Sequence, residues 1–260
     1  MTILDQLAAH ARERVAAARA LRPLADLKRE ALALPRGDFS FEKALSGPEL
    51  AFICECKKAS PSKGLIAPRF PYLDIAKDYE AAGADAVSVL TEPKWFLGSD
   101  EYLRQIAAAI SLPCLRKDFT VDAYMLYEAK LLGASAALLI CSILDPARLK
   151  DFMDICEGLG LSALTEAHDE AEVEMALKAG ARIIGVNNRD LKDFTVDTGN
   201  SRRLRAMIPG DVLFVSESGV RSAEDVEAAR RMGADAVLVG EALMRAGDRR
   251  KKLAELRGAP

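Results

Sequence analysis

The sequence predicts an α/β fold, a single (βα)8 TIM barrel with an N-terminal helical extension, and three observations carry that prediction. From Ala51 onward, short apolar stretches rich in Val, Leu, Ile and Ala alternate with amphipathic ones, the pattern of a parallel sheet covered by helices. A junction recurs at Ala82-Gly83-Ala84-Asp85-Ala86, Leu132-Gly133-Ala134-Ser135-Ala136, Ala179-Gly180-Ala181-Arg182-Ile183 and Met232-Gly233-Ala234-Asp235-Ala236. Its glycines stand about 50 residues apart, the length of two βα units. Eight units in about 210 residues fit a closed barrel better than an open doubly wound sheet, and no G-x-G-x-x-G dinucleotide fingerprint is present.

The elements follow in order. Residues 3 to about 34 read as two helices. Ile3, Leu4, Leu7, Ala8, Ala11 and Val15 form an apolar stripe, and Pro23 separates it from the segment 24–34. A glycine- and proline-containing stretch, 35–48, leads to the first strand. The segment 1–47 is too short to bury a core of its own, so it is expected to pack on the barrel, which occupies 48–260. Each junction ends a helix at a glycine able to take the left-handed C-cap conformation and turns straight into a strand. Between these lie four more strands, at Ala51–Cys56, 113–117, 161–166 and 212–216, making eight.

Composition bounds the function. The chain has 260 residues, 50% hydrophobic and 29% charged, with a formal net charge of -3, which is ordinary globular usage. Acids and bases are interspersed rather than gathered on a basic face, which argues against nucleic acid. Cys54, Cys56, Cys114, Cys141 and Cys156 lie mostly in apolar stretches without close Cys/His pairs, so they read as reduced core residues and no metal is expected. The N-terminus carries charges every few residues and no apolar h-region, and no run approaches the roughly 20 residues of a membrane span. A cytoplasmic protein with no membrane partner is the expectation.

In such a barrel the chemistry sits where the strands end. Glu55 and Lys57 share one face of strand 1, while Cys54 and Cys56 turn to the layer behind. Ser60, Pro61, Ser62 and Gly64 follow as a restricted loop of the kind that closes over a ligand. Strand 3 ends in Lys117, strand 5 in Glu166, strand 6 in Asn187 and Arg189, strand 7 in Ser216 and Ser218, and strand 8 in Gly240. Parity puts Lys117 with Leu115, Glu166 with Leu164, and Asn187 with Gly185, and turns Arg116 outward into a structural role. Ser216-Glu217-Ser218-Gly219-Val220 and Val239-Gly240-Glu241-Ala242 read either as glycine-assisted turns or as the anion cradle common after strands 7 and 8.

Taken together, CECKKASPSKG, LRKDF, ALTEAHD, IGVNNRDL, VSESGV and LVGEALM, in this order, resemble indole-3-glycerol-phosphate synthase of tryptophan biosynthesis, over essentially the whole chain. The resemblance implies a carboxy-lyase that closes the pyrrole ring of 1-(2-carboxyphenylamino)-1-deoxyribulose 5-phosphate, losing carbon dioxide and water. It assigns Lys117 as the acid at the ketose carbonyl, Glu166 as the base in dehydration, and Lys57, held by Glu55, as carboxylate binder and second acid. Asn187 and Arg189 would orient polar groups, and Ser60 would help close the loop. Ser218, Gly219, Gly240 and the Glu241 amide would hold the phosphate, with the Glu241 side chain pointing away. Trp95, Phe96, Phe119, Leu138 and Leu191 are candidates for the apolar slot around the aromatic ring. No cofactor is implied, and association with other tryptophan-pathway enzymes stays open. The isomerase preceding this step would call for a Cys/Asp pair at strand ends, and a non-catalytic barrel would not need Lys117 and Glu166.

Overall fold

Strands apolar on both faces cannot leave either face in water, and in the computed structural model, which describes residues 2–190 and 194–258, eight of them close on one another. They are β1 (Ala51–Cys56), β2 (Ala86–Leu90), β3 (Cys114–Lys117), β4 (Ala136–Ile140), β5 (Ser162–Ala167), β6 (Ile183–Asn187), β7 (Leu213–Glu217) and β8 (Ala236–Val239). Every neighbouring pair is parallel. β1 closes the ring by pairing with β2, Ile53 opposite Ala86, and with β8, Ala51 opposite Ala236. Two residues on each side of the loop after β1, Ala59–Ser60 and Gly64–Leu65, form a small antiparallel hairpin.

Helices cover the ring. Three precede it: α1 (Ile3–Leu21), α2 (Leu24–Ala33) and α3 (Ser40–Leu45). Around it lie α4 (Tyr72–Ala81), α5 (Asp100–Ala109), α6 (Ala123–Leu131), α7 (Pro146–Leu159), α8 (Glu170–Ala179), α9 (Gly199–Arg205), α10 (Ala223–Met232), α11 (Glu241–Arg245) and α12 (Arg249–Arg257). The junction glycines 83, 133, 180 and 233 all take left-handed φ, between 77° and 90°, a conformation that costs any other residue a steric penalty. The aspartates of the first and last junctions have a structural use: Asp85 Oδ2 accepts from Phe52 N and Asp235 Oδ2 from Phe214 N, each at 2.7 Å, tying strand starts together.

The N-terminal segment clasps the barrel at both ends. At the carboxyl rim, Arg14 of α1 makes a two-pronged pair with buried Asp118, at 2.6 and 3.1 Å, and His10 meets Glu92 at 3.2 Å. At the amino end, Gly37 N donates to Leu159 O at 2.9 Å, and Glu42 N donates to Ser162 Oγ at 3.1 Å. α3 was not foreseen, since 35–48 reads as an irregular stretch; one and a half turns offer too little periodicity, and the helix is held by its fully buried Phe41 and Leu45. The strand expected at 212–216 in fact runs one residue later, to Glu217, and in a strand one residue exchanges the two faces.

No helix among the described residues is long and apolar enough to cross a membrane. All five cysteines are buried and free, and burial pushes the Cys114 and Cys156 thiols up to about 12, so neither is a nucleophile at neutral pH.

Candidate active site

The lumen-facing row of each strand decides what meets at the carboxyl rim. Cys54 and Cys56 are buried behind β1, which turns Glu55 inward, and Lys57 Nζ donates to Glu55 Oε1 at 2.6 Å. Lys117 closes β3; its Nζ lies 3.0 Å from Glu166 Oε2 on β5 and 3.5 Å from Glu217 Oε2 on β7. At the end of β6, Asn187 Nδ2 donates to Glu166 Oε1 at 3.3 Å, while its Oδ1 accepts from Arg189 N at 3.0 Å and Ser218 Oγ at 2.9 Å. Lys57, Lys117 and Glu166, far apart in the chain, thus stand on the wall of one cavity of about 700 Å³.

Two glycines make room for these side chains. A Cβ on Gly240 would come within 2.6 Å of Glu55 Oε1 and 3.1 Å of Lys57 Nζ. One on Gly185 would meet Glu217 Oε1 at 2.1 Å, so no other residue fits while Glu217 keeps its place.

Most of the remaining predicted residues line the same cavity. Ser60, Phe96, Phe119 and Leu138 do, and the Phe96 and Phe119 rings lie 6.0 Å apart, walling one side. Arg189 does as well, its guanidinium donating to Phe194 O at 3.2 Å. At the end formed after β7 and β8 stand Ser218, Gly219, Gly240 and Glu241. Ser218 has φ 64°, an uncommon conformation for a residue with a side chain and one that clusters at functional sites. The Glu241 carboxylate is turned to Arg245 Nε at 3.0 Å and Lys63 Nζ at 3.8 Å. Leu191 lies outside the described residues.

Two expectations are corrected. Trp95 does not line the cavity; its ring packs edge-on against His10 at 5.4 Å, outside the wall. Ser216 faces the helix layer, with Oγ 3.2 Å from Ser201 Oγ and accepting from Asn188 Nδ2 at 3.3 Å. The lumen position on β7 belongs to Glu217, which was passed over because the strand was ended one residue early; its alternation with Ser216 in VSESG was the available signal. Ile3 and Leu7 of α1 also reach the cavity, unforeseen because their stripe looks like ordinary helix packing.

The charges divide unequally. Burial penalises the Lys117 ammonium, but the Glu166, Glu217 and Glu55 carboxylates outweigh it and raise its pKa. Burial likewise opposes the Glu166 carboxylate, yet Lys117 and His168 hold it well below the usual range. For Glu217 burial wins, aided by Glu166 and Glu55, and its carboxyl is pushed up to about 8. With Glu217 neutral, Lys57, Lys117 and Arg189 outnumber Glu55 and Glu166, which suits an anionic ligand. Among the described residues no group of three His, Cys, Asp or Glu is arranged to hold a metal ion.

Comparison with known proteins identifies the family. The family pattern described as indole-3-glycerol phosphate synthase matches residues 4–256. A protein of that name from Ruminiclostridium cellulolyticum is 58% identical over 258 residues, 99% of each chain. One from Endomicrobium trichonymphae is 50% identical over 256 residues, 98% of this chain and 99% of that one. Among solved structures, a thiamine phosphate pyrophosphorylase from Pyrococcus furiosus superposes with a TM-score of 0.61 at 18% identity, covering 84% of this chain and 96% of that one, a likeness of fold alone. A fold, a cavity and a family pattern spanning nearly every residue agree: the chain belongs to the indole-3-glycerol phosphate synthase family, the carboxy-lyases of tryptophan biosynthesis.

Proposed function

We propose that the rim groups divide the family reaction, the conversion of 1-(2-carboxyphenylamino)-1-deoxyribulose 5-phosphate to indole-3-glycerol phosphate, as follows. The carboxylate-bearing ring carbon attacks the ketose carbonyl, a carbon–carbon bond forms, and Lys117 gives its proton to the carbonyl oxygen. A lysine ammonium is charged at neutral pH, and its carboxylate neighbours keep it so. The bond to the carboxyl carbon then breaks, carbon dioxide leaves, and the electron pair restores the aromatic ring. In the last step Lys57 protonates the departing hydroxyl, which leaves as water, while Glu166 removes a proton from the new ring. Glu166, 3.0 Å from Lys117, can return that proton to it. Loss of carbon dioxide from an anion consumes one proton overall, which solvent restores to Lys57.

The other residues bind and orient. Lys57, steadied by Glu55, takes the substrate carboxylate; Asn187 and Arg189 hold hydroxyl groups; Ser60 helps close the loop over the site. Glu217, protonated below about pH 8, presents a neutral carboxyl group beside Lys117. Ser218, Gly219, Gly240 and the Glu241 N–H hold the phosphate, and Phe96, Phe119, Leu138 and Leu191 enclose the aromatic ring. We also infer that residues 1–47 form an extension distinct from the barrel at 48–260, that the enzyme works in the cytoplasm, and that it associates with other enzymes of its pathway.

The meeting of Lys57, Lys117 and Glu166 around one cavity carries this reading. Lys117→Ala and Glu166→Gln should each lower kcat by about 10² to 10⁴-fold, with circular dichroism and substrate affinity little changed. Indole fluorescence after adding the carboxyphenylamino sugar phosphate measures it. Near-normal turnover in either variant would remove the proposed roles.

A further inference from the structure

Two carboxylates flank the Lys117 ammonium, Glu166 at 3.0 Å and Glu217 at 3.5 Å, and the resemblance between them ends on their far sides. Glu217 Oε1 has no hydrogen-bond partner among the described residues. Glu166 Oε1 faces Asn187 Nδ2 at 3.3 Å and His168 Nε2, also at 3.3 Å, the latter an ion-pair contact rather than a hydrogen bond.

His168, in the turn between β5 and α8, is fixed from behind. One oxygen of Glu172, in the first turn of α8, accepts both from the His168 backbone N at 2.8 Å and from its ring Nδ1 at 3.0 Å. The His168 carbonyl in turn accepts from Asn200 Nδ2 at 3.1 Å. The ring cannot flip without giving up Glu172, so Nε2 is held toward the lumen. Each ring nitrogen therefore faces a carboxylate oxygen. A neutral imidazole has a single proton and would turn a bare lone pair on one of the two. Facing both carboxylates without such a lone pair requires a proton on each nitrogen.

We infer that His168 is a positioning residue, an imidazolium clamped between Glu172 and Glu166 that makes Glu166, and not Glu217, the ionised member of the carboxylate pair beside Lys117. The inference rests on the base role given above to Glu166. The titratable groups around this pair are Lys117 on β3, Glu217 on β7, Glu55 on β1, Glu172 and Asp169 at the start of α8, and the buried Cys141 thiol after β4. Of these only Lys117 is cationic, and it lies beside both carboxylates; Glu55 weighs against Glu217, and His168 adds a positive charge in direct contact with Glu166. Burial disfavours the imidazolium, but Glu166 and Glu172 outweigh it and lift its pKa to about 10. Without it, the two acids would share Lys117 more evenly and titrate as a pair. The base would then be protonated at a higher pH.

The chain has only two histidines, His10 and His168, so nitrogen-detected NMR of the whole protein can assign both imidazoles with one variant. In the wild type one ring should stay doubly protonated beyond pH 8, and its signal should vanish in His168→Gln. Two rings titrating in the ordinary range near 6.5 would overturn the inference. From pH 9 down to pH 3, kcat for His168→Gln should begin to fall one unit or more above the pH at which the wild type does, with a loss of up to tenfold at the acid end and KM within threefold. A profile merely scaled down, with unchanged shape, would overturn it. Glu172→Gln should lower the ring's titration by a unit or more and move the acid limb the same way, so it carries both readouts if His168→Gln fails to fold; no movement in either overturns the inference. Turnover by Glu166→Gln would sink the base assignment without touching the NMR result, so the two failures are told apart.

Discussion

A single methyl group at position 240 illustrates how closely the rim is filled. Gly240 has φ near -120°, open to any residue, so its identity answers to space and not to backbone strain. Gly240→Ala should therefore fold, with a melting temperature within a few degrees of the parent. Its Cβ would press on Glu55 and Lys57, which have to swing aside, and kcat should fall about 10- to 100-fold, since misplacement by about 1 Å costs rates of that size. Parallel thermal melts and turnover assays check it; unchanged kcat would mean Lys57 has slack the distances do not suggest. At this scale the sequence disclosed Lys57, Lys117 and Glu166 because each ends a plain apolar run. Glu217 was hidden by one residue of strand length, and His168 because its partner Glu172 belongs to the next helix and gives no sign of facing inward.

Helix α1 depends on one bond more than on its other polar contacts. Arg14 pairs with Asp118, whose side chain is fully buried and also accepts from Thr91 Oγ1 at 2.7 Å and Phe119 N at 2.8 Å. Removing Arg14 leaves that carboxylate without its nearest countercharge, at a cost of the order of 3 kcal/mol. Arg19 pairs with Asp122 in the open, and its loss should cost about 0–1 kcal/mol. Urea unfolding of Arg14→Ala and Arg19→Ala should separate them by that margin. Asp118 also adjoins Lys117 and Phe119, so KM should rise in the first variant alone. The two long helices were legible from the apolar stripe and Pro23, as were the strand starts from the junction glycines. α3 was not, because distant residues such as Ser162 make it a helix.

The closed ring joins the chemistry to the stability of the entire chain, because β1 must pair with β8 nearly two hundred residues later for any lumen group to be enclosed. Glu217 shows the linkage. Its carboxyl, at about 8 when folded, lies above the 4.5 of an unburied glutamate, so folding takes up a proton between those values. Its contribution is complete below about 4.5 and is lost as pH rises through 8. Glu217→Gln should flatten the fall in urea midpoint between pH 6 and 9; an unaltered slope would assign that fall to other groups. Alternation and the count of eight told the architecture in advance, whereas which residues face one another across the lumen is set by barrel stagger, which no local pattern encodes. The clasp by the first helices carries a further consequence for birth on the ribosome. Leu7, Ala11 and Phe41 emerge long before α6 and β5, against which α1 and α3 pack, have been translated. At roughly 5–20 residues per second, the nascent segment waits seconds with its greasy side bare. It is there, at the threshold of synthesis, that chaperones would find their opportunity.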